Sequence, residues 1–259
     1  MVNLDIALQS KFYANSPDKV LGPLSFSVSP GEFVALVGPS GAGKTTLLNM
    51  IAALQSCAPG EIKFNGYPLS GKPDCKIGYI FQQPRLMPWL TVADNLRLVK
   101  PDTTESDIEA ILTKVGLAGK SDLYPKHLSG GMQRRVSIAR AFLTEPDLLL
   151  LDEPFVSLDA PNADNLRALL GELWVEHQPT VIFVTHDLNE AIQLADRILF
   201  LSSAPAMVIL DKPVDLPRPR AVDDSRLQYW KNDLLSEHVG LLEGALSDPV
   251  LKLISGGDV

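Results

Sequence analysis

Gly38-Pro39-Ser40-Gly41-Ala42-Gly43-Lys44-Thr45 is the stretch on which the reading of this chain turns. It fits G-x-x-x-x-G-K-[S/T], a phosphate-binding loop, when a strand leads in and a helix leads out. Both flanks comply: Glu32-Phe33-Val34-Ala35-Leu36-Val37 is a buried-strand run, and Thr46-Leu47-Leu48-Asn49-Met50-Ile51-Ala52-Ala53-Leu54 is helical in composition. The glycines let the backbone wrap closely, so that N–H groups converge on anionic oxygens at a helix end whose dipole favours negative charge. Residues Gly38, Pro39, Ser40, Gly41, Ala42, Gly43, Lys44, Thr45 and Thr46 are therefore the expected phosphate cradle. Lys44 is expected to reach the β- and γ-phosphates of a nucleotide, and the Thr45 hydroxyl to bind Mg²⁺.

Working outward, the 259 residues allow one or two domains with a real core. A hydrophobic fraction of 46% and a charged fraction of 21% are those of an ordinary globular protein. No run of about 18 apolar residues is present, so no segment is expected to span a bilayer. Met1-Val2-Asn3-Leu4-Asp5-Ile6 lacks the basic and apolar regions of a secretory signal. Cys57 and Cys75 are isolated, without metal-ligand spacing, and a cytosolic chain with reduced thiols is expected. A net charge of −8 argues against a nucleic-acid partner and against direct docking on an anionic membrane surface.

Residues 3–10 and 24–29 read as strands, and Pro30-Gly31 as the turn into the loop strand. Gly60–Gly66 reads as a short strand closed by Asn65-Gly66, a hairpin signal, and Ile77–Phe81 as another strand. From about 84 to 141 the periods become helical, as an insertion would. Asp147–Asp152 and Thr180–Thr185 are continuous apolar runs separated by a helix over 161–177, the pattern of strands buried on both faces. This alternation predicts an α/β fold with a mostly parallel core sheet and an antiparallel β portion at the start. Leu216-Pro217-Arg218-Pro219-Arg220 reads as a linker, and 221–259 as a helical tail packed on the core.

Leu148-Leu149-Leu150-Leu151-Asp152-Glu153 is an apolar strand ending in two carboxylates. Carboxylates at the C-terminal end of a central strand lie where ligands bind in such sheets. Asp152 is expected to help hold Mg²⁺, and Glu153 to polarise a water attacking the γ-phosphate. Leu128-Ser129-Gly130-Gly131-Met132-Gln133-Arg134-Arg135 precedes a helix expected over Met132–Phe142, a second helix N-terminus able to grip phosphate. Phe81-Gln82, Ser157-Leu158-Asp159 and Thr185-His186-Asp187 complete an ordered series.

With these motifs in this order, across roughly residues 8 to 200, the chain resembles the ATP-binding cassette (ABC) ATPases. Each motif alone could be an ordinary turn; the ordered set is specific. The resemblance implies the ABC-ATPase variant of the P-loop fold, a nucleotide-binding domain over 1–220 with the helical subdomain at about 84–141 inserted in its core, and a separate tail at 221–259. It implies a head-to-tail homodimer with two ATP sandwiched, Ser129, Gly130 and Gly131 of one copy meeting the nucleotide of the other. It implies catalytic roles for Glu153, His186 and Lys44, with Gln82 touching Mg²⁺ and coupling to a membrane partner, and Asp159 crossing to the second site. Tyr13, with Phe12 beside it as the alternative, falls where the family stacks an aromatic on adenine. His127, His177 and His238 receive no role.

The run Gln83-Pro84-Arg85-Leu86-Met87-Pro88-Trp89-Leu90, with Asn95-Leu96, is similar to the importer ATPases for nitrate, sulfonates and taurine. Membership of that branch implies integral membrane permeases as partners, a solute-binding protein indirectly, and a peripheral place on the cytoplasmic membrane face. Pro84, Leu86, Met87 and Trp89 either contact the permease or pack the helical subdomain. Lys126-His127 and Phe155-Val156-Ser157 depart from the commoner patterns. An exporter or lipid-transport ATPase, or an ABC ATPase outside transport, is the alternative; the solute is beyond reach of this chain.

Overall fold

Runs of consecutive apolar residues become strands without an exposed residue, and alternating runs become strands with one wet face. The computed structural model describes residues 1–9, 11–12, 19–58, 61–69, 73–221 and 223–245. In chain order the strands are β1 Leu4–Leu8, β2 Lys11–Phe12, β3 Lys19–Leu21, β4 Leu24–Val28, β5 Phe33–Val37, β6 Ile62–Phe64, β7 Tyr67–Pro68, β8 Ile77–Ile80, β9 Leu148–Asp152, β10 Thr180–Thr185, β11 Arg197–Leu201 and β12 Val208–Pro213. The helices are α1 Lys44–Ile51, α2 Val92–Arg97, α3 Glu105–Lys114, α4 Gly130–Phe142, α5 Ala160–His177, α6 Leu188–Leu194 and α7 Ser225–Glu237. The chain forms two units, one of Val2–Pro73 with Ile182–Val259, the other of Asp74–Val181 with Met1.

In the first unit an antiparallel sheet runs β4-β1-β6-β7, as the N-terminal alternation predicts. Leu24, Phe26 and Val28 face inward while Ser25 and Ser27 are exposed. The Asn65-Gly66 turn has φ 49° and 82°, the left-handed pair that a tight hairpin requires. A second sheet carries β12-β11-β5-β10. There β11 runs parallel to β5, from Arg197 opposite Val34 to Phe200 opposite Val37, and β12 is an antiparallel edge. All five residues of β5 are buried, which is why its sequence shows no alternation.

The Leu216–Arg220 run is no loose linker. Arg220 is buried and donates to the carbonyls of Ile192 and Ala195, each at 2.6 Å, and of Val214 and Leu216. Burial, then the neighbouring Arg218 charge, bring its guanidinium down to about 10. Arg218 bonds the Asp196 carboxylate and the Leu194 carbonyl. Beyond this strap α7 buries Leu227 and Leu234, and Lys231 donates to Asn189 on α6 at 2.9 Å.

In the second unit β8 and β9 pair in parallel, Ile77 opposite Leu148 through Ile80 opposite Leu151. The helices α2 to α5 follow the predicted periods, and each begins where a side chain can take an orphan amide. Thr104 and Asp107 form a reciprocal capping box on α3. The α4 boundary differs from the sequence reading: the helix starts at Gly130, not Met132, because Ser129 caps it and draws both glycines into its first turn.

Candidate functional site

The phosphate-loop half lies in the first unit. β5 delivers the chain into the loop, and α1 takes it out. The junction is Gly43, at φ 89° and ψ 12°, a left-handed conformation costly for any residue with a Cβ. Because glycine is the N-cap, no side chain caps α1, and the helix end keeps the character of an anion seat. Lys44 is buried, its Nζ donating to the carbonyls of Gly38 at 2.8 Å and Pro39 at 2.9 Å. These bonds lay the ammonium across its own loop. Ser40, Gly41 and Thr45 are exposed, Pro39 and Gly43 partly so, and Ala42 and Thr46 are buried. A turn of the C-terminal segment sits behind this loop: Ser203 donates to the Gly244 carbonyl at 3.3 Å, and a Cβ on Gly244 would come within 3.1 Å of Pro39 Cγ.

His186, in the same unit, is exposed just past the wholly buried β10. Its neighbours are pinned. Asp187 N–H donates to Thr185 Oγ1 at 3.0 Å, that hydroxyl donates to Glu190 at 2.6 Å, and Asp187 caps α6 through the Asn189 amide at 2.7 Å.

The second unit holds the carboxylates and the second helix end. Asp152 is buried at the tip of β9. Glu153 follows at φ 45° and Ser157 at φ 64°, left-handed positions rare for residues with side chains. Such outliers concentrate where a side chain must be aimed. Asp159 is the N-cap of α5, accepting from Asn162 N–H at 2.9 Å. Ser129 is exposed, and its Oγ accepts the Met132 amide at 3.3 Å. Gly130 is exposed and Gly131 partly buried. Gln82 exposes its side chain, while its carbonyl accepts from Arg134.

Arg134, within the Leu128–Arg135 run, joins α4 to two other segments of this unit. It is buried on α4 and donates to the Phe81 carbonyl at 3.1 Å, to the Gln82 carbonyl, and to the Val156 carbonyl at 3.2 Å. From the same helix Arg140 donates to the carbonyls of Pro84 and Arg85, each at 3.0 Å. Desolvation lowers both guanidinium groups below their ordinary value. The Arg85 guanidinium lies 4.0 Å over the Phe81 ring, which stacks on Tyr79 at 4.0 Å. The Tyr79 hydroxyl is pushed far above the phenol range, by burial first and by the Asp152 charge second.

Asn95, fully buried on α2, shapes the neighbouring loop by accepting from Met87 N–H and donating to the carbonyls of Met87, Leu90 and Thr91. Around it Trp89 is 71% exposed and Leu98 is 51% exposed; Pro84, Leu86 and Met87 are half-buried. Tyr13 lies outside the described residues.

Among the described residues no group of three or more His, Cys, Asp or Glu is gathered as a metal cage. The candidates Thr45, Gln82 and Asp152 offer a hydroxyl, an amide and one carboxylate. The hydroxyl belongs to the first unit, and the amide and carboxylate to the second; all three are oxygen donors of the kind a hard cation takes. No described helix is long and apolar enough to cross a membrane.

A family model described as "ABC transporter" matches residues 21–156. The chain is 40% identical over 248 residues to the aliphatic sulfonates import ATP-binding protein SsuB 2 of Burkholderia cenocepacia (strain HI2424), covering 95% of this chain and 91% of that protein. It is 38% identical over 237 residues to the aliphatic sulfonates import ATP-binding protein SsuB of Bacillus subtilis (strain 168), covering 90% and 92%. Among solved structures it is similar to a dimeric post-hydrolysis state of the ATP-binding cassette MJ0796 bound to ADP and Pi, with a TM-score of 0.70 and 29% identity, over 84% of this chain and 100% of that one.

Proposed function

The chain belongs to the ABC transporter family, and from that premise we propose that it is the ATP-hydrolysing subunit of an importer, two copies closing around two ATP molecules to drive a membrane permease. The observation that carries this reading is the α1 entrance: an uncapped helix start at Gly43 with Lys44 held across the loop mouth. The names of the relatives support import over export, and a solute of the sulfonate class, to which taurine belongs. In this reading the chain sits peripherally on the cytoplasmic face of the membrane and meets a solute-binding protein only through the permease. The nucleotide-binding domain spans 1–220 and carries 221–259 as its tail.

The roles follow from chemistry. The amides of Gly38–Thr46 and the Lys44 ammonium hold the phosphates, and Tyr13 stacks on the adenine. Thr45, Gln82 and Asp152 would hold Mg²⁺, which when bound would supply positive charge against the phosphates. Glu153 takes a proton from the attacking water, and His186 orients that water against the γ-phosphate. Ser129, Gly130 and Gly131 of the second copy add donors where negative charge develops, and Asp159 lies at the crossing between copies. Binding closes the dimer and hydrolysis opens it, a two-state switch that a permease can follow.

The test is phosphate release by the purified full chain with Mg-ATP, together with recovery of Glu153→Gln from native membranes in ATP. Turnover, with a polytopic permease copurifying, is the expected result. Turnover with no membrane partner would leave an ATPase and remove the transport claim.

A further inference from the structure

We propose that Arg134 and Arg140 are positioning residues that lock the Phe81–Arg85 loop and the Val156 turn to α4, so that the Ser129-capped helix end, the Gln82 loop and the Val156–Ser157 loop respond to nucleotide as one body. The proposal rests on the ATPase reading above.

Among the described residues both arginines bond backbone carbonyls, with no carboxylate among their partners. Arg134 serves two chain segments that are distant in sequence, and its Nε finds no partner among the described residues. An arginine present for stability alone has little reason to be here, since a buried cation is often matched by a packed apolar side chain. Its acceptors are specific: the start of the loop at Gln82 and the turn that leads into Ser157 at φ 64°. Six residues further along α4, about 9 Å at the helical rise, Arg140 takes the far end of the same loop. The loop is thus laid along the helix and pinned at both ends. Arg85, left-handed at φ 47°, folds back over Phe81 and closes it. A planar guanidinium fork aims separate nitrogens at carbonyls of two segments at fixed angles, whereas a lysine offers a single nitrogen on a flexible stem. Val156, the residue that departs from the commoner sequence, takes part through its carbonyl, so its side chain is not what the clamp reads.

The test is hydrogen–deuterium exchange on the full chain, with and without a nonhydrolysable imido analogue of ATP, beside steady-state ATPase kinetics. In the wild type the analogue is expected to slow exchange at 38–46, 81–85 and 156–158 together. In Arg134→Gln, protection at 38–46 persists while 81–85 and 156–158 lose their response; kcat falls about tenfold with KM for ATP nearly unchanged. Arg134→Lys is expected to keep the response of only one of the two segments. The clamp is overturned by an Arg134→Gln protein with wild-type kcat, or by 81–85 and 156–158 still responding in that variant. Should Arg134→Gln fail to fold, Arg134→Lys decides, and a full response of both segments overturns the clamp. A wild type that neither protects 38–46 nor hydrolyses ATP overturns the ATPase reading itself, and the clamp with it.

Discussion

The side-chain oxygen of Asn95 accepts the Met87 N–H at 2.7 Å, and the same amide returns a hydrogen bond to the Met87 carbonyl at 3.2 Å. With further bonds to Leu90 and Thr91, one side chain on α2 replaces the backbone pairing that a loop lacks. Asn95→Ala removes the side-chain partner of the Met87 N–H and of the Leu90 carbonyl, while the Met87 and Thr91 carbonyls keep their backbone donors. It should cost about 2–4 kcal/mol, read as a lowered urea midpoint with an unchanged slope.

Trp89 stands on this loop at 71% exposure. Trp89→Ala should leave stability within about 0.5 kcal/mol of wild type and basal ATPase unaltered, while reducing copurification with the permease. Equal recovery of permease with both proteins would return Trp89 to the ordinary surface.

Glu153→Gln keeps the shape of the side chain and removes its basicity. Turnover should fall by about 10²–10⁴-fold, with ATP affinity preserved and an ATP-dependent dimer visible by sedimentation. Wild-type turnover would take the water-activating role away from Glu153.

Gly244 tests the contact behind the phosphate loop. A Cβ there would strike the Ser203 and Ser202 backbone and crowd Pro39, at a residue with φ 75°. Gly119 has a similar φ of 69° but open space around it, so Gly119→Ala controls for backbone strain alone. Gly119→Ala should lose about 1–2 kcal/mol, and Gly244→Ala more, because its Cβ also meets backbone. Gly244→Ala alone should also weaken ATP binding, measured by titration of a fluorescent nucleotide.

The Cys75 thiol is raised to about 11, by burial first and then by the Asp147 and Asp74 carboxylates. Because the proton is held more tightly, thiolate at pH 7.5 is scarcer than in an ordinary thiol by about a hundredfold. Alkylation by iodoacetamide in the native protein should be correspondingly slow and still climbing at pH 10, followed by mass spectrometry of the Cys75 peptide. Asp147→Asn should speed it.

What was legible in the sequence is what side chains announce. Phe33–Val37 and Leu148–Asp152 declared buried strands because every residue in them is buried. The loop from Gly38 to Thr45 declared itself through glycines and a lysine. What stayed hidden depends on backbone acceptors, which have no letter in the sequence. Arg220 reads as a charged linker residue because its partners are four carbonyls. Arg134 and Arg140 were passed over for the same reason. Gly130 and Gly131 look like helix breakers, and only the Ser129 cap makes them a first turn. The left-handed Glu153 could not be foreseen, since nothing in Asp-Glu-Pro requires it.

That left-handed glutamate sets two selective pressures against each other. A residue with a Cβ held at φ 45° gives up about 1–2 kcal/mol that glycine or asparagine at the same position would largely recover. Evolution for thermal tolerance alone, with uptake made dispensable by a rich medium, should therefore drift toward replacing Glu153. Such lineages would yield sturdier cassettes that have forgotten how to turn over, and their appearance would mark this position as one retained against the interest of the fold.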